Sequence, residues 1–207
     1  MYYSRQQNHN YIYNFSLIIG LLILILAVPL SFFLPVSISF ENGLVENLQV
    51  VVLIFSGLYN LFLTNYTTDK QIKAFNIWCA ALSILLACRE LSWGRVFYQI
   101  RMEATGPVFI DMSNYIYRTE AYIFIVSYML ILLITALLKL PLKKLLRCRF
   151  PIMILFIMFV SIMFSYIGDH GIIFGKLQGQ IVEEFGELSF YTLIPALCIH
   201  YYRELEK

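Results

Sequence analysis

Residues 180–202, QIVEEFGELSFYTLIPALCIHYY, decide whether this chain crosses a bilayer five times or six. A helical crossing needs about 20 largely apolar residues at about 1.5 Å per residue. This stretch reaches that length only when Glu183, Glu184 and Glu187 are counted within it. A carboxylate at mid-span costs about 2.5–3.5 kcal/mol on the insertion scale, while a Leu, Ile, Phe or Val returns about 0.3–0.6. Three acids in little more than one turn nearly cancel the segment, so its insertion depends on neighbouring helices. Leaving all three in water would shorten the span to residues 188–202, about 22 Å. We therefore expect a sixth span over 182–202, with Glu187 about 6 Å inside the boundary.

The rest of the chain supports that setting. Sixty per cent of the residues are apolar and only 14% charged, and 15 Tyr and 17 Phe suit interfacial belts as well as cores. The mean hydropathy is +0.73. A formal charge of +2 does not suggest a nucleic-acid partner. Five further apolar runs, 15–34, 45–64, 74–94, 121–138 and 150–168, are long enough to cross. The first is too long for a signal peptide, and SFFLPVS offers no small-residue cleavage site, so it reads as a retained span. Pro29 and Pro195 fall inside spans, where a kink is expected rather than a break. The expected fold class is all-α: one transmembrane domain over 1–207, an integral membrane bundle of six transmembrane helices.

Orientation follows from the basic residues. With the N-terminus inside, Arg5, Lys70, Lys73, Lys139, Lys143, Lys144, Arg147, Arg149, Arg203 and Lys207 are internal. Arg95, Arg101, Arg118 and Lys176 are external, and Arg89 lies in a span. That asymmetry predicts both termini inside. Counting about 20 residues from each inner boundary then brings four spans to one outer layer carrying Glu46, Arg89 with Glu90, Asp169 with His170, and Glu183 to Glu187. Glu183 and Glu187 share a helix face by i,i+4 spacing, as do Asn42, Glu46 and Gln49, and Arg89 and Trp93 are expected to stack on another. Arg89 is the one cation within a span and cannot neutralise three to five carboxylates. The remainder must be protonated, hydrated or bound to a cation.

The acidic segments read E-N-G-L-V-E at Glu41 to Glu46, R-E-L-S-W-G at Arg89 to Gly94 and E-E-F-G-E at Glu183 to Glu187. In order and spacing this resembles a family of small bacterial polytopic membrane proteins. These carry an E-D-G-x-x-E-type motif opening one span, an E-E-I-S-W-G-type motif ending another, and a glutamate-rich start to the last. The resemblance implies a bacterial inner-membrane protein in which these positions matter, and it names no reaction. Asn42 stands here for an acid and Arg89 for a glutamate, which lowers the negative charge and favours an Arg-buttressed site over a carboxylate-only metal site.

Three readings of the layer follow. As a binding or transport site for a cation or small polar ligand, it would use Glu41, Glu46, Glu90, Glu183, Glu184, Glu187, Asp169 and His170, with Arg89 and Trp93 as counter-charge and packing. Glu46, Glu90, Glu187 and His170 are the candidate donors to a divalent metal, the one cofactor considered, although no Glu-x-x-His pair occurs. As a structural ion network, the same charges would pin the spans together in a nonenzymatic interaction or assembly protein. As an enzyme acting on a lipid or quinone headgroup, the chain would use acids poised at the boundary, with His170 of GDHG as proton carrier. His9, in the polar N-terminal tail, and His200 lie too far away to join it.

The remaining features are ordinary. No CxxC pair, glycine-rich phosphate loop, G-x-S-x-G or H-E-x-x-H occurs. Lys139 to Arg149 reads as an anchor on anionic lipid. Ser56, Asn60, Ser83, Ser161, Ser165 and Ser189 could continue a polar path inward, or simply pack. The segment from Arg95 to Glu120 is long enough for a lid or an interfacial helix, and Lys176 is a second potential counter-charge.

Overall fold

The computed structural model describes residues 2–103 and 106–207, with side chains from His9 onward. The helices are α1 (Tyr2–Ser31), α2 (Leu44–Leu63), α3 (Lys70–Glu90), α4 (Arg118–Lys139), the single turn α5 (Leu142–Leu145), α6 (Ile152–Asp169) and α7 (Gly175–Leu205). Among the described residues, five helical stretches are long and apolar enough to cross a membrane: His9–Ser31, Val36–Tyr66, Lys70–Glu90, Arg118–Lys139 and Ile152–Asp169. Helix α7, expected as the sixth, is not among them.

Packing explains why α7 looks unlike the others. It forms the axis of the bundle, with α1, α2, α3 and α6 laid against it. Ile181, Leu193, Ile199 and Tyr202 are enclosed on that axis. A helix surrounded by protein has little need of an apolar exterior, so its sequence can carry acids and still be buried. Its contact with α6 is backbone to backbone. A Cβ on Gly168 would stand 2.5 Å from the Gly179 carbonyl oxygen, and a Cβ on Gly179 would meet the Gly168 carbonyl at the same distance. Small residues allow this approach where lipid supplies no hydrophobic drive for helices to associate.

Helix α4 is the opposite case. Leu132 is its one buried residue, and it packs chiefly on α3. Two polar tethers hold it there: Trp78 Nε1 donates to the Leu132 carbonyl at 2.9 Å, and the Tyr128 hydroxyl donates to the Ala81 carbonyl at 3.0 Å.

Two local expectations need correction. The segment before α4 is an antiparallel hairpin, β1 (Gln99–Glu103) and β2 (Gly106–Phe109), rather than an interfacial helix. The Phe40 ring lies where a Gly106 side chain would go, so the hairpin rests on the loop before α2. The polar N-terminal segment is the first turns of α1, where His9 Nδ1 and the Tyr59 hydroxyl are hydrogen-bonded at 2.6 Å.

Candidate functional site

The loop opening α2 and the turn closing α3 form one joint. In E-N-G-L-V-E, Asn42 takes a left-handed conformation (φ 59°), and Glu46, in the first turn of α2, accepts its backbone N–H. That satisfies a donor near the helix start and places an acid at its positive end. Glu41 leaves the loop in the other direction. Its Oε1 accepts from the Ser92 hydroxyl at 2.9 Å and lies 3.6 Å from Arg95 Nη2. Arg95 Nη1 also donates to the Ile110 carbonyl at 3.5 Å, tying in the end of the hairpin.

Helix α3 ends at Glu90, and the next turn is strained: Ser92, Trp93 and Gly94 have φ of 44°, 57° and 92°. A bulky residue in the left-handed region costs about 1–2 kcal/mol, and the Glu41–Ser92 bond is one contact that holds it. The turn overturns the expectation that Arg89 and Trp93 share a face, because the helix stops between them. The Trp93 ring turns to Phe124 of α4, 6.4 Å away and edge-on.

Arg89 instead joins α3 to α7. Its Nη1 donates to Glu90 Oε1 at 2.9 Å and to the Tyr191 hydroxyl at 2.6 Å, and its Nη2 reaches Glu187 Oε1 at 3.4 Å. The Tyr191 hydroxyl donates to the same Glu90 oxygen at 2.6 Å. Glu90 and Tyr191 are buried, whereas 54% of the Arg89 side chain is accessible. Arg89, Glu187 and Tyr191 line a cavity of about 210 Å³ together with Ser161 and Ser165 of α6.

On the α2 side, Gln49 is wholly enclosed. Its Nε2 donates to Glu184 Oε2 at 2.8 Å and to the Glu184 carbonyl at 3.0 Å, while its Oε1 has no donor. Glu46 stands one turn before Gln49 on α2, and Glu184 stands beside Glu187, which Arg89 reaches, on α7. Glu46, Glu90, Glu184 and Glu187 therefore gather where α2, α3 and α7 meet, with Arg89 among them and Glu41 at the rim.

Glu183 lies on the α6 side of α7, its backbone nitrogen 2.6 Å from where a Cβ on Gly168 would stand. Asp169 and His170 are exposed at the end of α6. His170 Nδ1 contacts the Tyr166 carbonyl at 3.0 Å and Asp169 Oδ2 at 3.5 Å. The expected metal donors Glu46, Glu90, Glu187 and His170 form no such group: among the described residues no set of three or more His, Cys, Asp or Glu is arranged to hold a metal ion. The carboxylates are turned to the Asn42 amide, Arg89 and Tyr191, while His170 faces its own helix. Lys176, expected as a second counter-charge, pairs with no carboxylate among the described residues.

Sequence reasoning missed Tyr191, although its i,i+4 step from Glu187 could have flagged it. It also missed Ser92 and Arg95, which no spacing rule connects to Glu41. Four serines of the supposed inward path make interhelical bonds: Ser161 with Ser189 at 2.9 Å, Ser189 to the Gly20 carbonyl at 2.8 Å, and Ser83 with Ser56 at 3.3 Å. No protein-family model matches the chain, and neither a curated protein nor a solved structure does.

Proposed function

We propose that the chain is a six-span protein of a bacterial inner membrane, both termini inside, whose acidic layer faces outward and binds a monovalent cation or small polar ligand. In this reading α7 is the sixth span, admitted because its acids face protein. One observation carries the binding reading. The enclosed Gln49 spends its amide nitrogen on Glu184 and leaves its oxygen without a donor, in a cluster where Arg89 stands among four carboxylates. A cation would supply both the missing positive charge and a partner for that oxygen.

The runner-up, a structural ion network, is favoured by the Arg89–Glu90–Tyr191–Glu187 bridge, which ties α3 to α7 with no ligand at all. Thermal unfolding of the purified protein distinguishes the two, using Li⁺, Na⁺ and K⁺ against N-methylglucamine at constant ionic strength. A resident cation stabilises by RT ln(1 + [L]/Kd), about 2.7 kcal/mol at a hundredfold excess over Kd. Saturable stabilisation that Glu46→Gln abolishes without unfolding the protein supports binding. A cation-independent midpoint, with Glu187→Gln merely destabilising, refutes cation binding and favours the network.

A further inference from the structure

A second cavity, of about 340 Å³, lies between the α3 turn and the start of α4, apart from the acidic layer. Trp93, Phe97, Tyr115, Tyr117 and Phe124 line it, and Glu120 is the charged group at its edge. The rings are set edge to face rather than stacked flat: Trp93 against Phe124 at 6.4 Å and Tyr115 against Tyr117 at 5.9 Å. Phe97, Tyr117 and Phe124 are exposed, so ring surface remains available to a visitor. Glu120 is exposed and makes no ion pair among the described residues, and neighbouring Arg118 sits over the Tyr122 ring instead.

We propose that this cavity binds a quaternary ammonium group of the choline type. Ring faces attract a cation within about 6 Å of their centres, and the attraction grows as water is excluded. A bare metal ion or primary amine would need several oxygen or hydrogen-bonding partners, whereas the walls here are mainly carbon with one carboxylate at the rim. Methyl groups on nitrogen spread the charge over a surface that such walls can touch. The strained turn suits the task, since Trp93 is fixed in a left-handed conformation beside a Ser92 held by Glu41, and a preset wall loses little freedom on binding. The proposal is independent of cation binding at the acidic layer.

The test uses the full chain in maltoside detergent, reading Trp93 emission after subtracting the Trp93→Phe variant, which reports the other tryptophan, Trp78. Choline chloride is titrated against its neutral carbon isostere, neopentyl carbinol. Saturable binding of choline, with the isostere about tenfold weaker or more, is expected from the ring and carboxylate contributions. Glu120→Gln should weaken choline about threefold and leave the isostere unchanged, which also shows that the cavity still folds. Equal affinity for choline and isostere would overturn the proposal, as would the absence of any saturable response to choline. Lipid nanodiscs then assign the source. A signal already at its end point in phosphatidylcholine but not in phosphatidylglycerol identifies a lipid headgroup, whereas a signal needing added choline in both identifies a free amine.

Discussion

Replacing Tyr191 by Phe removes one hydroxyl from the joint between α3 and α7 and leaves the ring packing in place. That hydroxyl donates to Glu90 Oε1 and accepts from Arg89 Nη1, both at 2.6 Å. Tyr191 is 3% exposed and Glu90 6%, so the bond lies away from bulk water. Side-chain hydrogen bonds between membrane helices average about 0.6 kcal/mol and reach about 1.7. Bonds to charged partners lie at the stronger end. The expected loss is therefore about 1.5 kcal/mol, close to a tenfold change in the unfolding equilibrium. Equilibrium unfolding in mixed micelles, followed by helical circular dichroism, measures it. A cycle with Glu90→Gln should return a coupling energy of about 1 kcal/mol. A Tyr191→Phe protein within about 0.3 kcal/mol of the parent, or strict additivity in the cycle, would refute the argument that this bond crosses the bundle.

Four further outcomes are expected. Gly168→Ala should destabilise by about 1–3 kcal/mol, because its Cβ would stand 2.5 Å from backbone oxygen. The same change at Gly57, where the nearest atom is 3.5 Å away, should be close to neutral in the same unfolding assay. Gly94→Ala, at φ 92°, should cost about 1–2 kcal/mol and shift Trp93 emission as the turn relaxes. Asp111, outside the spans, is held below the ordinary aspartate range by the Ser113 backbone N–H and then its hydroxyl. A lowered folded value means the contact is fully present above the unfolded pKa of about 3.9 and is lost as pH falls through the folded one. The Ser113 amide resonance should titrate with a midpoint below that value and stop titrating in Asp111→Asn; a midpoint at or above it would refute the contact.

The comparison between α4 and α7 explains what could be read in advance. Helix α4 is apolar on nearly every side and nearly unburied, so its hydropathy and its surroundings agree. Helix α7 is the most enclosed element, yet it is the long helix whose composition does not qualify it as a span. Hydropathy reports how one helix would fare against lipid, and α7 meets protein on most sides. The acids were conspicuous for the same reason, being costly to place alone. Their destinations were not, because side-chain direction depends on which helix lies opposite: Glu187 meets Arg89, Glu183 sits on the α6 side beside Gly168, and Glu41 spans to Ser92 and Arg95.

By itself the amino-acid order determined the long apolar helices, the tension within 180–202 and the three acidic motifs, since each follows from local periodicity and from the transfer cost of single residues. Only the tertiary structure decided that α7 is the axis, that α3 stops before Trp93, and that an aromatic cavity forms beside the α3 turn. Those outcomes depend on contacts between residues a hundred or more positions apart, such as Arg89 with Tyr191. The backbone approach at Gly168 and Gly179 and the strained turn beside Glu41 arise only when separate segments are brought together.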